Sequence, residues 1–524
     1  MHEGPATLPP RDPLLPCPLQ PDGGIAAGSD APVSHGENLP MQHEGKREGG
    51  GPIPLFVDVD GTLTRADISL ESFVAYARQG VAHALRLILW LIAGRALAKT
   101  MVARSRRIEA DRLPYRQEVM DLIIAARAEG RPVILASASH WTHIRRIARH
   151  LGLDAPVIGT RGRDNRKGTA KLAAIRRSIG EGAPFDYIGD SRADVGLWAA
   201  ARQGWTVGFL PAGGLAVRRI GEPKERPPFW RAALKAMRPH QWTKNGLVLV
   251  PALTSGLILS PVVAGKAVAA MLCMSLVASS IYLVNDILDV EADRAHRTKY
   301  RRPIAYGDLS IPSAILLSLA LGVVGLAGGL LLGGWPLLAA LLAYVVLTCG
   351  YSFRIKAVMV ADVIALASLY TARLWIGAVA IGVPLSFWLL LFSVFLFLSL
   401  AYLKRYIELR DAEDPDRLLR GRGYVPSDLD VVMTAGIGAG MVSILVLALF
   451  ANDLGTARHY ATPELLWFIC LPLLYWINRI WMMARRGEVD GDPVAFAVRD
   501  PRSIAVGLLC ALLFLAAQQL TLPI

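Results

Sequence analysis

The sequence is poor in the residues that mark a disulfide-stapled or thiolate-metal protein. Its five cysteines, Cys17, Cys273, Cys349, Cys470 and Cys510, are scattered without a CxxC pair, which excludes both a disulfide framework and a thiolate metal site. No basic start followed by an apolar core opens the chain, so no secretory signal is expected. Charge is also scarce: 19% of the 524 residues are charged, and Lys+Arg 56 outnumber Asp+Glu 43. Apolar residues are plentiful instead, at 53% with a mean hydropathy of +0.39. That composition excludes a disordered chain and a purely soluble globular one. In such a chain the excess of +13 is expected in cytoplasmic loops rather than in a nucleic-acid footprint.

The composition changes along the chain. Residues 1–50, rich in Pro, Gly and polar residues, read as a disordered tail. Residues 51–215 alternate short apolar runs (Pro54–Val57, Pro132–Leu135, Phe185–Ile188) with helical patterns, the order of a parallel α/β domain. Residues 216–245 read as an amphipathic linker. From Gly246 the apolar runs become long: 246–265, 267–284, 311–334, 335–351, 357–383, 385–403, 431–451, 465–483 and 504–520. Most approach the roughly 20 residues that a helix needs to cross a bilayer. An all-α polytopic membrane domain of about nine helices is expected over 246–524.

Loop charge sets the expected orientation. If the N-terminal domain is cytoplasmic, loops 285–310, 352–356, 404–430 and 484–503 share its side and carry seventeen Lys and Arg. Across the membrane, the 452–464 loop carries Arg458 alone. This imbalance predicts a cytoplasmic N-terminus, a C-terminus outside, and residence in the inner membrane of a bacterium.

Two groups of residues carry chemistry. In the α/β domain, Asp58-Val59-Asp60-Gly61-Thr62 ends the first apolar run. Two carboxylates one residue apart at a strand end can supply a nucleophile and a proton donor beside a metal. Ser137 ends the second run and can hold a phosphate oxygen. Lys167 can neutralise phosphate charge, and Gly189-Asp190-Ser191-Arg192-Ala193-Asp194 puts a further carboxylate pair after the third run. Phosphoryl chemistry on Mg²⁺ uses this combination. Between Asp60 and Ser137, Val81–Ala98 is apolar but carries Arg86 and Arg95. Leu85, Ile88, Leu89 and Ile92 share one helical face. The pattern suits either a core helix of a cap or a basic helix lying on a membrane surface.

In the membrane domain, Asn285-Asp286-Ile287-Leu288-Asp289-Val290-Glu291-Ala292-Asp293 ends the second run. Asp286, Asp289 and Asp293 are spaced to share one helical face. Carboxylates at that depth are costly without a cationic occupant, and Mg²⁺ on a diphosphate is the natural one. A basic stretch follows: Arg301-Arg302-Pro303-Ile304-Ala305-Tyr306-Gly307.

Residues 53–215 resemble the haloacid-dehalogenase-like phosphatase family. The resemblance implies a Rossmann-like domain with a helical cap, Asp58 as nucleophile and Asp60 as general acid/base. It further implies that Ser137 and Lys167 bind the phosphoryl group. Asp58, the Asp60 carbonyl and Asp190 would hold Mg²⁺, supported by Asp194. Residues from about 230 onward resemble the UbiA-type intramembrane prenyltransferase superfamily. The stretch Arg238–Asn245, Tyr351-Ser352 with Lys356 and Asp362, Lys404–Arg410, and Asp492 with Asp500 resemble its decaprenyl-phosphate phosphoribosyltransferase branch. A second DxxxD is absent after the sixth helix, where Lys404, Glu408 and Asp411 stand.

The resemblance implies a bifunctional membrane enzyme acting on a polyprenyl phosphate and a sugar-phosphate diphosphate, with no nucleic-acid partner. Asp286, Asp289 and Asp293 would hold Mg²⁺. Lys244, Arg302, Lys356, Lys404 and Arg405 would bind phosphate, with Asn285, Tyr351 and Glu408 in support. The alternatives are a prenyltransferase with an aromatic acceptor and a non-catalytic lipid-binding or transport protein.

Overall fold

A computed structural model describes residues 52–211, 215–221, 227–296, 298–384, 386–412, 422–452, 460–489 and 491–520. The expected disordered tail, Cys17, and the loop arginines Arg297, Arg417, Arg420 and Arg458 lie outside the described residues. The chain forms two units. The first comprises residues up to Pro228 together with Leu288–Ser310; the second comprises Phe229–Ile287 and Ile311–Ile524.

In the first unit the elements run β1 (Leu55–Val57), α1 (Ile68–Ala77), α2 (Val81–Ala93), α3 (Arg95–Ser105), α4 (Gln117–Ala128), β2 (Val133–His140) and α5 (Trp141–His150). They continue with β3 (Ile158–Thr160), α6 (Thr169–Ile179), β4 (Asp186–Gly189), α7 (Val195–Ala200), β5 (Gln203–Thr206) and β6 (Val217–Arg219). All six strands are parallel, in the order β3-β2-β1-β4-β5-β6. The α/β expectation holds, and β6 carries the sheet past residue 215.

The strands read as unbroken apolar runs because the sheet is covered on both faces. Leu55 and Val57 enter one core with Ile123, Leu135, Ile144 and Ile188. Phe56, between them, enters the other with Ile134, Ile175, Phe185 and Tyr187. The strand order reverses between β1 and β4, and such a switch point opens a crevice at the carboxyl ends of the strands. Asp58 follows β1 and Asp190 follows β4 at that crevice.

The second unit begins with α8 (Phe229–Met237), a 3₁₀ stretch over Pro239–Leu249 and α9 (Val250–Thr254), and continues with α10 (Pro261–Leu288). After α11 (Val290–Arg294) and α12 (Pro303–Tyr306), which lie in the first unit's segment, come α13 (Ile311–Phe353), α14 (Ala361–Ile381), α15 (Phe387–Arg410) and α16 (Leu429–Ala451). Among the described residues, seven helices are long and apolar enough to cross a membrane.

The difference from nine has two causes. The run 246–265 is not one helix, because Pro251, Gly256 and Pro261 break it into short pieces. The 3₁₀ stretch over Pro239–Leu249 that leads into it runs antiparallel to α10, with Trp242 Nε1 3.0 Å from Ser279 Oγ and Asn245 Nδ2 2.9 Å from Ser275 Oγ. The runs 311–334 and 335–351 join in α13, whose 43 residues would extend about 64 Å if straight, twice the hydrocarbon thickness of a bilayer. Gly334 interrupts it at φ 65°, ψ −157°, ahead of Pro336. A Cβ on Gly329 would lie 2.4 Å from Leu341 Cδ1, a contact that twelve residues of straight helix cannot make, so the helix folds back on itself at Gly334.

Candidate functional site

The Asp58–Gly61 turn packs against the loop after β4. Gly61 has φ 76°, and a Cβ there would lie 2.4 Å from Asp190 Oδ2. Glycine therefore permits both the turn and the approach of the second carboxylate. Oxygens of Asp58, Asp190 and Asp194 lie within 4.8 Å of one another, the one such carboxylate group among the described residues. Asp194 is saturated. Its oxygens accept from Tyr187 Oη at 2.8 Å, Ser191 Oγ at 2.9 Å and the Ser191 amide at 3.1 Å. Asp58 accepts from the Val59 amide at 2.8 Å, and Asp190 accepts from Thr62 Oγ1 at 3.4 Å. The last two carboxylates keep lone pairs free for a divalent cation, and the hard oxygen donors suit Mg²⁺.

Asp60 points the other way. Its Oδ2 accepts from Ser137 Oγ at 2.6 Å and Ser139 Oγ at 2.7 Å, and its Oδ1 from the Ile68 amide at 2.8 Å. The structure thus brings Asp58, Asp60, Ser137, Asp190 and Asp194 together. Lys167 is exposed and precedes α6. Lys171, within α6, reaches the cluster instead: its Nζ donates to Asp58 Oδ2 at 2.8 Å, Tyr187 Oη at 2.9 Å and Asp194 Oδ1 at 3.4 Å. Lys99 of α3 donates to the Ala138 carbonyl at 2.6 Å and Asn165 Oδ1 at 3.3 Å, adding a second cation near Asp60.

Burial dominates the titration of this group. It pushes Asp58 up to about 7 against the pull of Lys171, and Asp190 up to about 6, aided by Asp194. Burial also works against the charge of Lys171, but Asp58 and Asp194 outweigh it and hold Lys171 above the ordinary lysine value. In metal-free protein the raised carboxylates bind protons more tightly folded than unfolded. Their contribution to stability is therefore full below about pH 4 and is lost as pH rises through 6 to 7. Saturating Mg²⁺ competes with those protons, so its stabilisation should grow over the same window. Melting curves from pH 4 to 8, with Mg²⁺ and with chelator, check both signs. A chelated protein whose first unit gains stability steadily from pH 4 to 7 would contradict the geometry.

The segment Leu288–Ser310 completes the first unit. Glu71 of α1 forms a two-bond pair with Arg294, both at 2.6 Å, and Arg294 Nε donates to the Ala305 carbonyl at 2.7 Å. Asp289 pairs with Arg78 at 2.8 Å, and Asp293 with Arg302 at 2.7 Å. The expectation of one helical face for Asp286, Asp289 and Asp293 is not met. α10 ends at Leu288, and Asp289 caps the separate α11.

In the second unit Asp286 is buried and pairs with Arg238. Arg238 sits at φ 56°, a conformation that side-chain-bearing residues rarely hold without support. Asn285 Nδ2 lies 3.4 Å from Ser352 Oγ. Lys244 pairs with Asp492, and Lys404 lies 3.8 Å from the same carboxylate. Arg405 is fully buried between Asp362, 2.8 Å away, and Glu408. Tyr351 Oη accepts from Arg422 at 3.0 Å. Lys356 lies half-buried just before α14.

One residue of this polar layer was not anticipated. Arg373, buried in the middle of α14, donates to Asn245 Oδ1 at 3.1 Å and Tyr344 Oη at 3.2 Å. A lone arginine inside an apolar run is itself a functional signal.

Comparison with known proteins agrees with this division. A model of the UbiA prenyltransferase family matches residues 248–520, more than half the chain. The chain belongs to the UbiA prenyltransferase family. A model of haloacid dehalogenase-like hydrolases matches residues 55–198, so this UbiA member carries an N-terminal domain of that second kind. The protein y4nM of Sinorhizobium fredii is 35% identical over 474 residues, covering 89% of this chain and 91% of its own, a span that must include both domains. Nodulation protein NoeC of Azorhizobium caulinodans is 36% identical over 54% of this chain and 92% of its own length. Decaprenyl-phosphate phosphoribosyltransferase of Mycobacterium tuberculosis is 36% identical over 51% of this chain and 87% of its own.

Within this UbiA member's hydrolase-like domain, Lys171 makes a sharp prediction. Lys171→Met leaves Asp58 and Asp194 buried without their countercharge, a loss on the order of 3–5 kcal/mol for a buried ion pair broken on one side. Thermal unfolding of the first unit should shift down by many degrees, whereas Lys167→Met should leave it unchanged.

Proposed function

We propose that the membrane domain transfers a phosphoribosyl group from phosphoribosyl pyrophosphate to a polyprenyl phosphate, and that the soluble domain then removes the 5-phosphate from the lipid-linked ribose. The observation that carries this reading is the 36% identity, across the membrane domain, to proteins named decaprenyl-phosphate phosphoribosyltransferase. The basic pair Lys404 and Arg405 in place of a second aspartate motif, together with Lys244, supports it, because a sugar phosphate and a polyprenyl phosphate bring more anionic groups than a prenyl diphosphate with an aromatic acceptor.

In the transfer, a phosphate oxygen of the lipid attacks the anomeric carbon of the ribose, and diphosphate leaves. Asp286, Asp289 and Asp293 would hold Mg²⁺, which supplies charge neutralisation to the departing diphosphate. Lys244, Arg302, Lys356 and Lys404 would carry the remaining phosphate charge. Arg405, whose own charge is matched by Asp362 and Glu408, would fix the last turns of α15 that present Lys404.

In the soluble domain Asp58 would attack phosphorus. The ester P–O bond breaks, and the departing sugar oxygen takes a proton from Asp60. Water, deprotonated by Asp60, then releases phosphate from the aspartyl-phosphate. Lys171, Ser137 and Ser139 surround these two carboxylates. Asp58 and Asp190 would ligate Mg²⁺, with Asp194 orienting Lys171 and the loop after β4.

The reading includes an orientation: a cytoplasmic N-terminus and a C-terminus outside the inner membrane, motivated by loop charge. A periplasm-dependent reporter fused after Ile524 should be active, and a cytoplasm-dependent one silent. The reverse pattern would mean an even number of crossings and would overturn the orientation.

A further inference from the structure

We propose that α2 is an interfacial helix that rests its outer face on the lipid bilayer and holds the soluble unit at an anionic membrane surface. α2 is attached to its own unit by one narrow stripe. Leu87 is buried with Tyr76, Ala98 and Val102, and Trp90 (tilted) and His83 (edge-on) pack against Tyr76 with ring centroids 5.3 and 5.1 Å away. The opposite stripe is apolar and bare. Val81, Leu85, Ile88, Leu89 and Ile92 fall on one face at helical spacing. Their exposures are 77%, 57%, 51%, 64% and 78%. Five large aliphatic side chains in one contiguous exposed stripe mark a surface that something covers.

Charge selects the occupant. Between Glu71 and Glu109 the chain has seven Lys and Arg and no Asp or Glu. Arg86, Arg95, Arg104 and Arg107 are exposed and form no ion pair among the described residues. Arg86 projects from the flank of the bare stripe, where a long basic side chain can reach headgroups while the aliphatic residues enter the acyl boundary. Anionic headgroups above an apolar layer match this pairing of charges and stripe, and the seven long apolar helices among the chain's described residues keep a bilayer at hand. A second copy of the chain would place four like charges against four others. The inference concerns the bilayer and stands apart from the proposed phosphatase substrate.

The test uses the full chain in lipid nanodiscs containing anionic phospholipid, in a background lacking its five cysteines. Leu89→Cys and Ile92→Cys carry an environment-sensitive fluorophore, and exposed Glu181→Cys, after α6, is the aqueous control. Lipids brominated near the acyl boundary should quench the Leu89 and Ile92 labels at least twofold and leave Glu181 unchanged. Equal, water-like emission from all three sites would overturn the proposal. So would emission that responds to protein concentration and not to bromination, which would assign the stripe to a second copy.

A functional arm separates this proposal from the phosphatase reading. The double variant Leu85→Glu with Leu89→Glu should slow hydrolysis of a phosphate ester embedded in vesicles about tenfold. Hydrolysis of p-nitrophenyl phosphate in solution should stay as in wild type. Equal loss on both substrates would contradict docking. If wild type hydrolyses neither ester, the phosphatase reading fails while the quenching result still decides the docking.

Discussion

Asp286→Ala is expected to lower transfer of phosphoribose to the lipid at least 10²-fold with the protein still folded in the membrane. Asp286 is buried near the end of α10 and pairs with Arg238. Under the proposed mechanism this carboxylate meets a cation that neutralises developing charge on the leaving diphosphate, and loss of one such interaction commonly removes a factor of 10² to 10³. Asp289→Ala is expected to act in the same direction. Raising Mg²⁺ should restore part of the rate in either variant, because the lost ligand weakens metal binding before it alters the lipid site. Arg238→Lys, which keeps a countercharge, should cost far less. Near-normal turnover by a well-folded Asp286→Ala protein would remove this residue from the site.

Asp58→Asn is expected to abolish phosphate-ester hydrolysis while transfer continues. The substitution preserves size and removes the attacking carboxylate. It also removes one of the two acidic partners of Lys171, at 2.8 Å, leaving Asp194 at 3.4 Å to balance it. The product profile should change in one direction: lipid-linked phosphoribose accumulates and lipid-linked ribose disappears. Mass spectrometry of extracted lipid reads both species. If the purified variant forms lipid-linked ribose as fast as wild type, the soluble domain does not perform this step through Asp58.

Much of the soluble site was legible because its parts sit at strand ends. A strand buried on both faces leaves a plain apolar run, and the first polar residue after it marks the crevice. Asp58, Ser137 and Asp190 were found in this way, two at the ends of β1 and β4 and the third where the apolar part of the longer β2 gives way to polar residues. Lys171 was hidden because it lies inside a helix, where a lysine usually faces water. Its signal was position: Lys171 and Ile175 are one turn apart and form the buried stripe of α6, whereas Lys167 precedes the helix. Ser139 and Lys99 approach through tertiary packing, which no local spacing announces.

The membrane domain was legible as composition and less so as geometry. Apolar content alone cannot tell one helix from a chain of short helical pieces, so 246–265 read as a single helix although Pro251 and Gly256 already break it. Periodicity continues through a helix end, so Asp286, Asp289 and Asp293 read as one face although α10 stops at Leu288. Arg373 went unread because a single charge hardly changes the hydropathy of a 21-residue helix, though its burial against Asn245 and Tyr344 makes it a member of the polar layer. The assignment of Leu288–Ser310 to the first unit follows from ion pairs such as Glu71–Arg294, between residues more than two hundred positions apart.

The most direct test of the central claim incubates the purified, reconstituted protein with Mg²⁺, polyprenyl phosphate and phosphoribosyl pyrophosphate labelled in the ribose. The account predicts label in the lipid phase, with one diphosphate released for each lipid labelled. In wild type the label should chase from lipid-linked phosphoribose to lipid-linked ribose; in Asp58→Asn it should stop at the first. No labelled lipid, together with diphosphate release from a prenyl diphosphate and an aromatic acceptor, would contradict the account.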